Sequence, residues 1–217
     1  MDKKCIEIYE YLKDKFQTPK CELNYESNFQ LLVAVILSAQ CTDKRVNLVT
    51  KELFKKYKTP QDFIKLSLQE LEKMIYSCGF YKNKAKNILN MSQDLIQKFA
   101  GVVPNTLEEL TTLAGVGRKT ANVVLSEGFK QNAIAVDTHV FRVSHRLELS
   151  SAKTPEQTEM DLRKAFSEEY WSALHLYLVL FGRYTCKSQK PDCENCKLQK
   201  YCKFYKENIK NNYKTEK

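Results

Sequence analysis

The sequence predicts an all-α protein, and three observations carry that reading. Helix start signals recur along the chain: Ser27-x-x-Gln30, Ser67-x-x-Glu70, Thr106-x-x-Glu109 and Thr154-x-x-Gln157 all fit a capping box. In that motif a hydroxyl and a returning side chain satisfy the orphan N–H groups of the first turn. Between these signals apolar residues repeat at helical spacing. No alternating stretch is long enough for a strand, and only Ala133 to Val136 reads as extended and buried.

The elements follow in order. Residues 5–16 put Cys5, Ile8, Tyr9, Leu12 and Phe16 on one helical face. Residues 28–39 are apolar nearly all round, which predicts a central helix. Pro60 and Pro155 follow Thr59 and Thr154, the first helical position, where proline's missing N–H costs nothing. Residues 82–100 form a long amphipathic helix, with Lys82, Lys84, Lys86 and Asn87 ahead of a core face of Ile88, Leu89, Leu95 and Ile96. One helix ends near Leu113, and the next begins near Arg118 with Ala121, Val124 and Leu125 buried. Residues 170–182 carry Trp171, Leu174, Leu178 and Phe181 at helical spacing. Gly79, Gly101 and Gly128 each follow a periodic segment, as a C-terminal cap does. The tail after Glu207 is polar and lacks a core pattern, so fraying is expected.

The 217 residues allow one domain or two small ones. No apolar run approaches the roughly 18 residues of a membrane span, so no membrane partner is expected. The start, Met1-Asp2-Lys3-Lys4-Cys5, has early acids and no apolar region, which predicts neither a secretory signal nor a transit peptide. With only six glycines and five prolines the chain does not read as loop-rich or disordered. The net charge of +9 suits a polyanionic partner, nucleic acid first, although a basic soluble protein with no such partner fits charge alone equally well. Four of the eight cysteines are scattered (Cys5, Cys21, Cys41, Cys78) and read as small buried hydrophobes; the other four are clustered.

Three motifs carry chemistry. In Leu113-Ala-Gly115-Val-Gly117-Arg118-Lys119, glycines at a helix–turn–helix junction permit a tight turn and close backbone approach. Their N–H groups and the next helix N-terminus suit one phosphate. The plain alternative is a helical hairpin with glycines for geometry. In Ile134-Ala-Val136-Asp137-Thr138-His139, a carboxylate follows an apolar run and precedes a helix; taken alone it reads as an N-cap. In Cys186-x6-Cys193-x2-Cys196-x5-Cys202, four thiolates can bind one tetrahedral zinc or a [4Fe–4S] cluster, and the spacing does not choose. Residues 183–206 also carry seven cationic side chains against two acids, Lys187 and Lys190 among them.

Together, the hairpin with Lys119, the aspartate segment 18 residues later and this cysteine spacing resemble the endonuclease III family of helix-hairpin-helix DNA glycosylases. Leu37-Ser38-Ala39-Gln40-Cys41-Thr42-Asp43 and Gly79-Phe80-Tyr81-x-x-Lys84-Ala85 resemble family segments too, and the likeness runs from about residue 20 to 204. The hairpin departs from the family in reading Leu-Ala-Gly rather than Leu-Pro-Gly. Phe80 stands where an aliphatic wedge is common, and Glu127-Gly128-Phe129 alters the usual end of the lysine helix.

The resemblance implies a two-lobed fold: a six-helix barrel domain over residues 21–131, and an iron–sulfur cluster domain from residues 1–20 and 132–204. Residues 205–217 would be a polar tail, and duplex DNA would lie in the cleft between the lobes. It implies a structural [4Fe–4S] cluster rather than zinc, held by Cys186, Cys193, Cys196 and Cys202. It implies a bifunctional glycosylase and AP lyase for oxidised pyrimidines, a monomer acting on damaged or abasic duplex DNA, in the cytoplasm at the nucleoid if the source is prokaryotic. Lys119 would be the amine nucleophile, and Asp137 would stabilise charge on the sugar. Gln40 and Phe80 would fill the gap left by an extruded base, and Gly115, Gly117, His139, Lys187 and Lys190 would face DNA. Competing readings are a non-catalytic hairpin DNA-binding protein, a mismatch-specific relative, and a zinc-bound structural module. The presence of both Lys119 and Asp137 speaks against the first. A mismatch branch usually carries tyrosine at 119, where this chain has lysine.

Overall fold

A computed structural model describes residues 1–208. It is helical throughout, with no strand among the described residues. The helices are α1 (Lys3–Phe16), α2 (Asn28–Ser38), α3 (Asp43–Lys56), α4 (Pro60–Phe63), α5 (Leu68–Met74), α6 (Tyr81–Phe99), α7 (Leu107–Leu110), α8 (Arg118–Phe129), α9 (Thr138–Arg146), α10 (Pro155–Ala165), α11 (Trp171–Tyr184) and α12 (Lys203–Asn208). The chain divides into two compact units: Cys21–Gln131 forms one, and Met1–Lys20 together with the described residues from Asn132 forms the other.

In the unit formed by residues 21–131, α2 is the centre. Every residue from Phe29 to Leu37 is buried, as an apolar-all-round helix demands. It packs on α3, α6 and α8. Ser27 caps it by accepting from the Gln30 N–H. The Gln30 side chain reaches back one residue further than a capping box requires, to the Glu26 N–H at 2.8 Å. Complete capping boxes form at Ser67/Glu70 and at Thr59/Asp62. Thr106 and Thr154 accept from the N–H groups of Glu109 and Gln157, without the full reciprocal pair.

In the other unit α11 is the hub, with α9 and α1 packed on it. Tyr9 meets Tyr170 and Tyr177 edge-on, and the Tyr177 hydroxyl donates to the Gln17 carbonyl at 3.0 Å. Glu7 binds Lys200 and Tyr201, tying the first helix to the last segment of the chain. Ala133 to Val136 is buried as expected, without pairing into a strand.

Two expectations need correction. Gly128 is not a cap but lies inside α8, whose C-cap is Lys130 at φ 57°. Its missing Cβ makes room for a neighbour, because a Cβ there would stand 2.6 Å from Asn28 Oδ1. The helix before the hairpin ends at Leu110 rather than near Leu113, and successive turns fill the interval. The polar tail expected over residues 205–217 begins within α12, and residues 209–217, nearly all of the segment expected to fray, lie outside the described residues.

Candidate functional site

The hairpin joins α7 to α8 through a turn closed by the Val116 N–H donating to the Leu113 carbonyl at 3.1 Å. Its two glycines do different work. Gly115 sits at φ +77°, in the left-handed region, and a Cβ on it would strike the Asn87 side chain at 2.8 Å. The turn therefore needs glycine there. Gly117 has φ −88°, which any residue adopts, and a Cβ on it would meet nothing within 4 Å. Nothing in the fold of this unit requires glycine at 117. Gly117 is the exposed N-cap of α8, with no side-chain cap and no acid in the first turn, so the positive end of the helix has no anion of its own. Lys119, the second residue of α8, is exposed.

Gln40 and Phe80 occupy neighbouring loops of the same unit. Gln40 follows α2 at φ 51°, and Phe80 precedes α6 at φ 56°. Both are left-handed and both are exposed, Phe80 by 64%. A Cβ on Gly79 would sit 3.4 Å from the Gln40 carbonyl oxygen, so the two backbones run side by side. Gly79 itself is not in the left-handed region; Phe80 takes that conformation instead.

In the other unit Asp137 is the N-cap of α9, the plain alternative already raised for it. Both bonds go to one oxygen: Oδ1 accepts from the His139 and Val140 N–H groups, each at 2.8 Å. His139 packs against α11, where Gly182 leaves the space its Cβ needs, and its Nδ1 lies 3.2 Å from the Arg142 guanidinium. Burial pushes the His139 pKa down, the Asp137 carboxylate pulls it up, and Arg142 and Arg183 push it down again.

All four clustered cysteines line one small cavity, together with Leu147, Phe181 and Phe204. Burial, and then the other cysteines, raise the thiols of Cys193 and Cys196, Cys196 to about 11. Cys202 is likewise raised, chiefly by burial. Arg146 donates to the Cys186 sulfur at 3.3 Å, and the Tyr205 N–H donates to the Cys202 sulfur at 3.4 Å. Among the described residues no three His, Cys, Asp or Glu side chains are grouped so as to hold a single metal ion. A lone zinc would draw its four sulfurs to about 2.3 Å from one point. A cluster attaches each thiolate to a different iron. Four sulfurs around a shared cavity, with N–H donors aimed at two of them, fit that donor set. Lys187 and Lys190 are exposed on the same loop, Lys190 at φ 48°.

The HhH-GPD superfamily of base excision DNA repair proteins matches residues 33–168. The chain is 50% identical to endonuclease III of Bacillus subtilis over 191 residues, covering 88% of this chain and 87% of that one. It is 46% identical to endonuclease III of Rickettsia conorii, covering 91% and 94%. A trapped endonuclease III–DNA covalent intermediate superposes with a TM-score of 0.91 at 47% identity, covering 95% of this chain and 98% of that one. The chain belongs to the endonuclease III family. Membership makes it a DNA glycosylase with AP lyase activity in base excision repair.

Two features of this endonuclease III family member escaped sequence reasoning. Arg142 and Arg146, one turn apart on α9, grip the first cysteine segment. Arg142 Nε donates to the Cys186 carbonyl at 3.1 Å, and its terminal nitrogen donates to Gly182 at 2.8 Å. Arg146 donates to Lys187 O at 2.7 Å and stacks on Phe204 at 4.0 Å. Their i, i+4 spacing was the available signal, but nothing in it names a carbonyl as the target. Lys84, read as part of a polar face, is 5% exposed.

Proposed function

We propose that the chain excises oxidised pyrimidines from duplex DNA and then nicks 3′ to the abasic site, with Lys119 as nucleophile. The observation that carries this is the exposed lysine in the first turn of α8, two residues after Gly117, an exposed glycine with open space where a Cβ would stand. Removing one base means extruding its nucleotide at a cost of a few kcal/mol, less for a damaged base. Gln40 and Phe80 fill the vacated space. The Lys119 amine attacks C1′, the base departs with the bonding pair and takes a proton, and the sugar opens to an imine. The imine acidifies the C2′ hydrogen; its loss expels the 3′-phosphate and breaks the strand. Asp137 stabilises the positive charge that develops on the sugar and assists proton transfer. With Oδ1 committed to the helix, Oδ2 is the oxygen that serves.

The Gly115–Gly117 turn and the start of α8 bind a phosphate. Lys187 and Lys190 add phosphate contacts, and His139 orients the start of α9. The four clustered cysteines hold a [4Fe–4S] cluster, which supplies a structural link between α11 and the last segment and no electrons to the reaction. The enzyme acts as a monomer, at the nucleoid if the source is prokaryotic.

Borohydride reduction tests this reading, because it converts the imine into a permanent protein–DNA bond. Wild-type protein is expected to be captured on abasic or lesion DNA, and Lys119→Gln to lose both capture and nicking while still binding duplex. Undiminished capture by Lys119→Gln would move the nucleophile to another amine.

A further inference from the structure

Lys84 is a buried cation with no acid beside it among the described residues. Its Nζ donates to the carbonyls of Leu37 at 2.8 Å and Ala39 at 2.6 Å. These belong to the end of α2, where carbonyls run out of helical partners. The last turn of α2 has no basic residue of its own. The cation that answers the negative end of this helix comes instead from α6. Burial pushes the Lys84 pKa down, while the nearby Cys41 and Cys78 thiols pull it back.

The placement of Lys84 does more than cap. Its side chain holds Ala39, the residue before Gln40. Its own backbone N–H donates to the Phe80 carbonyl at 3.1 Å. One residue is therefore bonded to the Phe80 carbonyl and to the residue before Gln40, and Gly79 brings the Gln40 and Phe80 segments into close approach. Both tips are non-glycine residues in the left-handed region, a conformation that persists only where surrounding contacts impose it.

We propose that Lys84 is a positioning residue, which locks the Gln40 and Phe80 tips into one rigid two-pronged wedge. The inference rests on the gap-filling role given to those two residues above. A wedge that must enter a base stack works only at a fixed spacing. If the prongs move independently, the enzyme still folds, still binds DNA, and still attacks a sugar already displayed. What it loses is the extrusion step.

The test compares single-turnover excision of one oxidised pyrimidine in a full duplex and in a short unpaired bubble, where no stack needs opening. Lys84→Met keeps the stem and removes the donors. Lys84→Gln retains an amide donor and replaces it should the Met variant fail to fold. The expected result is roughly 10- to 100-fold slower excision in duplex and a change of no more than about twofold in the bubble, relative to wild type on each substrate. Equal loss on both substrates would reduce Lys84 to a helix cap, and no loss on either would remove its role; both overturn the proposal. Gln40→Ala and Phe80→Ala, measured alongside, separate the two readings. Normal duplex excision by both variants would overturn the gap-filling role itself. Impaired excision by them with normal Lys84→Met would overturn the clamp alone.

Discussion

The proposed chemistry gives Asp137 two roles on one side chain. As an N-cap it uses only Oδ1. Asparagine has the same oxygen in the same place and caps comparably. Asp137→Asn is therefore expected to melt close to wild type and to bind lesion DNA. Excision should fall by roughly 10²–10³, the usual cost of deleting a preorganised electrostatic contact to a transition state. Single-turnover excision and thermal melting of one preparation check this; normal excision would leave Asp137 only its cap. The sequence revealed Asp137 because a carboxylate between an apolar run and a helix has a local meaning. It did not reveal Lys84, whose partners lie 45 and 47 residues away. Spacing along α6 reports which face a lysine is on, but not whether a neighbouring helix ends there. Arg142 and Arg146 were missed for the same reason: carbonyls carry no sequence signature.

At the level of elements, start signals were legible and stop signals were not. Ser27, Ser67, Thr106 and Thr154 all cap where the sequence placed them, because a cap is a contact within four residues. Three non-glycine residues, Phe80, Ala100 and Lys130, instead take the left-handed positions bounding α6 and α8, while Gly128 serves packing. The hairpin repeats the lesson, because its two glycines look alike in sequence and differ in φ. Their substitution should separate fold from recognition. Gly115→Ala forces a Cβ into Asn87 and into a left-handed backbone that alone costs roughly 1–2 kcal/mol, so its melting temperature should drop. Gly117→Ala has open space and ordinary φ, so melting should hold. A Cβ at that exposed turn would block a phosphate from the N–H groups, and losing one charge-assisted hydrogen bond of about 1.5 kcal/mol weakens DNA binding about tenfold. Melting curves and salt-matched binding isotherms of both variants decide it. Tight binding by Gly117→Ala would take the phosphate away from this turn.

At the scale of the whole molecule the chain leaves its first unit after Lys20 and returns at Asn132, so α1 and residues 132 onward must find each other across an inserted unit. Closing so long a loop is entropically unfavourable, though the cost rises only slowly with length. The returning segments repay it by packing α1 on α11, by the Glu7 contacts to Lys200 and Tyr201, and by the four cysteines around one cavity. Proposing a cluster in that cavity makes this unit, and not the inserted one, dependent on iron. The single tryptophan makes the claim measurable, because Trp171 lies on α11, donating to Phe166 O at 2.8 Å under the Arg163 guanidinium. Its fluorescence reports the discontinuous unit alone, whereas far-ultraviolet circular dichroism reports helices of both. The protein as isolated is expected to be yellow-brown, with about four irons per chain. If the cluster contributes even about 2 kcal/mol, removing it should lower the Trp171 transition by roughly 8–16 °C, given the entropy change of a domain this size. Part of the helical signal should persist above that transition, contributed by Cys21–Gln131 around its buried α2. Cys196→Ser should behave like the iron-free protein. Coincident fluorescence and dichroism transitions in iron-free protein would show that the inserted unit has no stability of its own, and an unshifted Trp171 transition would show that iron does not hold the discontinuous unit together.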